Sequence, residues 1–199
     1  MVQTRLPATQ RREQMLDACR SVVDGEGFHA VTINRVAHDC GVTRTVVYQQ
    51  FGSLNAMLIA LVDREIDRAG QGFLGAVHYP AAPTGFGAAM AGVFGAVDAD
   101  PATWRMFMMP SEGGPPELYE HLERARAAVL GYVVGVIGKR SPEGDGASTA
   151  DGDTELIARS LHAIADELVR LRLRDPDTYP VDRLLRHAGR VSAALLAGS

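Results

Sequence analysis

Residues 32–55 read T-I-N-R-V-A-H-D-C-G-V-T-R-T-V-V-Y-Q-Q-F-G-S-L-N, and the punctuation of this stretch decides the fold. Ile33, Val36, Ala37 and Cys40 recur at i, i+3, i+4 and i+7, so one apolar stripe runs along a short helix. Thr32 stands at its N-cap, and Gly41 stops it. Thr43 then caps a second short helix that reaches Phe51. Gly52 ends that one, and Ser53 caps the next. Two short helices joined by a tight glycine-containing turn make a helix-turn-helix. In the second helix Val47 and Phe51 lie one turn apart and anchor inward, which leaves Arg44, Thr45, Tyr48 and Gln49 on the opposite face. Arginine bridges guanine O6 and N7, and glutamine pairs with an adenine edge. Threonine and tyrosine hydroxyls reach phosphates. A helical hairpin with an ordinary solvated face carries the same pattern, so at this level both readings stand.

Upstream, Met15, Ala18, Cys19 and Val22 repeat the spacing and predict a helix from Thr9 to Asp24, ended by Gly25 and Gly27. Downstream, the periodicity predicts helices over Ser53–Ala69, Phe86–Val97, Pro101–Met109, Glu117–Ile137, Thr154–Arg174 and Val181–Ala197. The glycine- and proline-rich stretch 71–87 is expected to be a loop or a broken helix end. Residues 139–153 lack any large apolar side chain and are expected to form a mobile surface loop. No stretch alternates as a strand would. The expected fold is therefore all-α: a small three-helix head over residues 1–52 and a larger helical part over residues 53–199.

The 199 residues are 46% apolar and 22% charged, as in an ordinary globular protein. The net charge of −4 excludes a histone-like chain but not DNA binding, which depends on local charge. Residues 1–52 hold six basic and five acidic side chains, and residues 53–199 hold 14 and 19. The single lysine, Lys139, lies far from the head. The start, M-V-Q-T-R-L-P-A-T-Q-R-R, lacks a signal peptide's apolar core, and no window approaches ~18 uninterrupted apolar residues. Two cysteines, Cys19 and Cys40, form no disulfide framework, so a reduced cytoplasm is expected. Glu117–His121 and His162–Asp166 have the i, i+4 spacing of metal ligands, but the second E-x-x-H of a di-iron bundle is missing. With no G-x-S-x-G, P-loop or dinucleotide fingerprint either, no enzyme, no metal and no cofactor are expected.

From Arg12 to Leu58 the chain resembles the DNA-binding domain of the tetracycline-repressor (TetR) family of transcriptional regulators. The stretches that carry this are M-L-D-A-C, G-E-G-F-H-A-V-T-I-N-R-V-A and C-G-V-T-R-T-V-V-Y-Q-Q-F-G-S-L-N-A-M-L. A looser similarity surrounds P-A-T-W-R-M-F-M-M-P-S-E-G-G-P-P. The resemblance implies that Asn34, Arg44 and Thr45 face bases and that Tyr48 meets a phosphate, with Gln49 and Gln50 as its neighbours. It implies that Thr32 caps helix two and presents the helix dipole to a phosphate. Thr43, the cap of helix three, is counted with them. Two departures stand out. Leu54 and Asn55 fall where the family usually carries a phosphate-binding lysine, and Val46 replaces a commonly small or hydroxylated residue. A shallow salt dependence is therefore expected.

The last two helices carry a second pattern. Ile157, Leu161, Ile164, Leu168 and Leu171 are spaced 4, 3, 4, 3; Val181, Leu184, Ala188, Val191 and Leu195 are spaced 3, 4, 3, 4. Both are a/d seams of bundle type. A second copy could complete them, and an ordinary intramolecular core is the alternative. The resemblance favours a homodimer, whose two heads would meet a palindrome one helical turn apart. Phe86, Met90, Phe94, Trp104, Phe107 and Met108, with His121 and His162 as polar partners, are candidates for an apolar effector site. Core packing is the alternative for each. His78, Tyr119, Tyr132 and Asp166 are further polar candidates. The expected function is thus a cytoplasmic regulator, a repressor released from a palindromic double-stranded DNA operator by a small apolar or aromatic effector. The alternatives are a DNA-binding regulator without such an effector and a ligand-binding protein with weakened DNA binding.

Overall fold

The computed structural model describes residues 7–77, 86–110, 113–114, 116–138 and 150–197. Among these the chain forms only helices: α1 (Ala8–Glu26), a 3₁₀ turn (Phe28–Ala30), α2 (Ile33–Asp39), α3 (Arg44–Phe51), α4 (Leu54–Val77), α5 (Phe86–Ala99), α6 (Pro101–Met108), α7 (Pro116–Gly138), α8 (Ala150–Arg174) and α9 (Val181–Ala197). The all-α expectation holds. No single helix among the described residues is long and apolar enough to cross a membrane.

Helix α1 runs through Gly25 to Glu26 and is ended by Gly27 alone, and two boundaries further along differ more from the sequence reading. Helix α4 continues through Gly70, Gly72 and Gly75 to Val77, where a loop was expected from residue 71. Glycine weakens a helix by about 1 kcal/mol but leaves its hydrogen bonds intact; the breakers here are Pro80 and Pro83, both past the helix end. At Gly72 an added β-carbon would meet that of Ala96 on α5 at 3.5 Å, so small residues let these two helices approach. Helix α8 starts at Ala150, inside the stretch expected to be a loop. The rest of that expectation, residues 139–149 with Lys139, lies outside the described residues, as does His78.

The chain divides into two compact units, Met1–Asp67 with Pro110–Leu122, and Arg68–Met109 with Glu123–Ser199. In the first, α1 packs on the 3₁₀ turn and on α2, and α2 packs on α3. Its core holds Met15, Leu16, Cys19, Val22, Phe28, Val36, Val47, Met57, Leu61 and Val62, together with Leu118 and Leu122 from the start of α7. In the second unit α5 packs on α9, α6 on α8, and α8 on α9. Met90, Val93, Phe94, Val97, Trp104, Leu168, Val169, Leu184 and Ala188 form its core.

Candidate nucleic-acid interface

The two short helices are built from their caps outward. The Arg35 amide donates to Thr32 Oγ1 at 3.1 Å, so Thr32 closes the N-terminus of α2 as read from sequence. Gly41, at φ 64, makes the turn, and the Val42 amide donates to the Ala37 carbonyl at 2.9 Å. That backbone conformation carries little penalty only for glycine. Thr43 stands at the N-cap of α3 with extended backbone, but its side chain makes no cap hydrogen bond. The expected side-chain cap is therefore absent, because the Val46 amide bonds to the Thr43 carbonyl at 3.0 Å instead. Gly52, at φ 77, ends α3, and its amide donates to the Tyr48 carbonyl at 2.7 Å. Ser53 Oγ then accepts from the Ala56 amide at 3.1 Å, closing the start of α4.

Burial sorts the faces of α3. Val47 and Phe51 are buried, and Arg44, Thr45, Tyr48 and Gln49 are exposed, Tyr48 at 44%. Thr32, Asn34 and Thr43 are exposed beside this face, whereas Gln50 is half-buried. The helix-turn-helix thus brings seven of the eight expected contact residues to the surface and holds Gln50 partly inside.

The charges of this unit are mostly spent within it. Arg35 pairs with Glu26 at 3.1 Å and Asp39 at 3.0 Å. Arg64 pairs with Glu13 at 3.0 Å, Asp17 at 2.8 Å and the fully buried Glu65 at 2.8 Å, and Arg20 reaches Glu65 at 3.4 Å. The hydrogen bond with His38, then the Arg35 guanidinium, hold the Asp39 carboxyl below the usual range. Arg44 is exposed with no carboxylate partner among the described residues. Arg12 lies over the Phe51 ring, a contact the sequence reading did not find, because it joins residues remote in sequence. Burial pushes the Cys19 thiol up to about 12 and raises Cys40 as well, which disfavours the thiolate at both.

The other candidate residues divide between the units. Met90, Phe94 and Trp104 are packed in the core of the second unit, Phe94 with no exposed surface and Trp104 with 8%. Phe86 and Met108 lie against that core, and Phe107 is half-buried. His162 is half-buried 3.9 Å from Asp166. His121 belongs to the first unit, where its Nδ1 meets Asp63 at 2.8 Å. Of the two seams, Leu161, Leu168, Leu184 and Ala188 are buried, while Ile157, Ile164, Leu171, Val191 and Leu195 remain half-buried. The most exposed large apolar side chain of α8 is Leu156, at 64%, one position before the predicted seam.

Comparison with known proteins converges on the same segment. Residues 15–61 match the family model of the bacterial regulatory proteins, tetR family. The HTH-type transcriptional activator FasR of Mycolicibacterium smegmatis is 36% identical over 63 residues, which are 32% of this chain and 29% of FasR. Less than a third of that relative is therefore spanned. Over the whole chain, a TetR-like transcriptional regulator from Rhodococcus sp. RHA1 superposes with a TM-score of 0.76 at 21% identity, covering 98% of this chain and 100% of that one. The transcriptional regulator FadR from Bacillus subtilis, in complex with stearoyl-CoA, gives 0.66 at 18% identity over 94% and 98%. The shared architecture is a helical N-terminal head followed by a helical C-terminal part, and the matched segment contains the complete helix-turn-helix. Over residues 15–61, and in its overall fold, the chain is thus similar to the tetR family of bacterial regulatory proteins.

Proposed function

We propose that the protein is a homodimeric regulator of transcription that reads a palindromic operator with α3 and is released from it by a small apolar effector, acting as a repressor. Residues 1–52 are the DNA-binding part in this reading, and the exposed face Arg44, Thr45, Tyr48 and Gln49, held by the buried Val47 and Phe51, carries it. A helix that spends two apolar anchors to present an unpaired arginine, a phenol and an amide is built to enter a groove. The half-buried residues of α8 and α9 are the candidate surface for a second copy. The effector side of the reading draws on the fold it shares with FadR, which carries an acyl-CoA. Effector binding would shift the dimer between head spacings, and reciprocity then requires operator DNA to weaken effector binding equally.

One observation favours a second reading, a DNA-binding regulator without a small-molecule effector. Met90, Phe94 and Trp104, the centre of the candidate apolar site, are already packed against α8 and α9. A thermal-shift series with apolar, aromatic and acyl-chain compounds separates the two. A concentration-dependent rise in Tm supports an effector, and a flat series supports the second reading.

Selection of bound sequences from random duplexes tests the DNA-binding reading directly. A palindrome is expected. Arg44→Ala should cost about 1–3 kcal/mol at one base position in each half-site. Recovery of no preferred sequence would defeat this reading. A salt titration on the winning duplex should give a shallow slope, since Arg20, Arg35 and Arg64 are already engaged with carboxylates. A slope demanding many phosphates per dimer would contradict that charge distribution. Expression from an operator–reporter fusion, with and without the protein, fixes the sign of regulation.

A further inference from the structure

Arg12 occupies an unusual place among the arginines of the first unit. Arg20, Arg35 and Arg64 each face carboxylates, whereas Arg12 has no carboxylate partner among the described residues. Its guanidinium carbon sits 4.3 Å from the centre of the Phe51 ring, and its NH1 donates to the Gln50 carbonyl at 2.9 Å. Both contacts fall on the last turn of α3. The last four carbonyls of a helix have no partner inside it. Here Gly52, at φ 77, turns the chain away, and its amide satisfies only the Tyr48 carbonyl. Arg12, reaching across from α1, takes the Gln50 carbonyl and places a positive charge at the negative end of the α3 dipole. The planar guanidinium stacks and donates at once, which a flexible ammonium does not reproduce.

We propose that Arg12 is a positioning residue for base recognition. It clamps the C-terminal end of α3 to α1 and so sets the angle at which Arg44, Thr45 and Gln49 meet base edges. This rests on the DNA-binding reading above. α3 is short, and Tyr48 and Gln49 lie within one turn of the clamped carbonyl. A tilt at that end therefore moves the reading residues directly. The rival role is a phosphate contact, for which the unneutralised charge and partial exposure of Arg12 would also serve.

The two roles give different signatures. Affinities for the selected palindrome and for a random duplex are measured across a salt series for the full-length wild type, Arg12→Lys and Arg12→Ala. Amide hydrogen exchange over residues 44–52 is measured on the same proteins without DNA. Thermal melts confirm that each variant is folded. For Arg12→Ala the clamp predicts a loss of about tenfold on the palindrome, an unchanged affinity for the random duplex and an unchanged salt slope. It also predicts faster exchange at the end of α3. Arg12→Lys should recover only part of the loss, because the charge returns without the stacking. Equal losses on both duplexes, with the salt slope reduced by about one, would assign Arg12 to a phosphate and overturn the proposal. Unchanged exchange over α3 in Arg12→Ala would overturn it as well, whatever the DNA result. A wild type that binds neither duplex would instead defeat the DNA-binding reading, and the exchange data would still decide whether the clamp exists.

Discussion

The two units use apolar spacing in different ways. In the first, each helix is short and closed at both ends. Thr32 and Ser53 cap α2 and α4, and Gly41 and Gly52 force the chain out of the helix at positive φ. With so few turns available, an apolar residue has one way to face inward, and the polar residues left over define the outer face. In the second unit, long helices repeat apolar residues through several turns. The same a/d spacing serves an intramolecular core and a partner helix equally well. The structure shows the ambiguity: Leu168, Leu184 and Ala188 of the expected pairing seams are packed against Met90, Phe94 and Trp104 of the expected effector site. One set of side chains cannot be at once a dry core, an open pocket and a free surface. Short, punctuated elements therefore reveal from sequence which side chains face outward, and long periodic ones reveal mainly that they pack.

The largest expected effect breaks this comparison at its weakest point. Phe94→Ala removes a side chain with no exposed surface from the centre of the second unit. A packed-core role predicts a loss of about 3–5 kcal/mol, visible in denaturant unfolding. A pocket-lining role predicts a small loss of stability and a large change in effector affinity. A stability change below about 1 kcal/mol would return Phe94 to the candidate site and weaken the second functional reading.

What was legible follows from the same physics. The helix-turn-helix, its caps and its outward face could be read because they depend on neighbours within about one turn. The side-chain cap at Thr43 failed although the residue type was right, because a backbone bond to the Val46 amide took its place. The contact of Arg12 with Phe51 and the attachment of residues 110–122 to the first unit could not be read, since both join segments remote in sequence. The i, i+4 spacing of Glu117 and His121 likewise says nothing of what reaches them from elsewhere in the chain. In the structure His121 is held by Asp63, and among the described residues no group of three His, Cys, Asp or Glu is placed to hold a metal.

That attachment supplies a prediction of intermediate size. Gly113 has φ 94, and a β-carbon there would come within 2.7 Å of the His29 β-carbon and 3.2 Å of its backbone. Neither neighbour is the loose end of a flexible chain. Beside it, the Gly114 amide donates to the Tyr119 hydroxyl at 3.2 Å, and Leu118 and Leu122 are buried. Gly113→Ala combines a disfavoured backbone conformation with a backbone clash, so a loss of about 1–3 kcal/mol is expected. Hydrogen exchange should localise the loosening to residues 28–31 and 113–122. A variant as stable as wild type, with unchanged exchange there, would show that the first unit does not depend on this distant segment.

The smallest effect separates two threonines that look alike in sequence. Each precedes a short helix of the helix-turn-helix, and each is exposed. Thr32 accepts from the Arg35 amide, so Thr32→Ala should lower stability by about 1 kcal/mol. Thr43 makes no cap bond, and its hydroxyl is available to a phosphate, so Thr43→Ala should leave the melting curve nearly unchanged. The two should diverge again on DNA. Loss of a single neutral phosphate hydrogen bond at Thr43 should weaken specific and random duplexes alike by about 0.5–1.5 kcal/mol and leave the salt slope untouched, since no charge is removed. Equal stability losses for both variants would mean that the Thr43 hydroxyl caps α3 after all. In that case its contribution to DNA binding would be an indirect one, through the helix end.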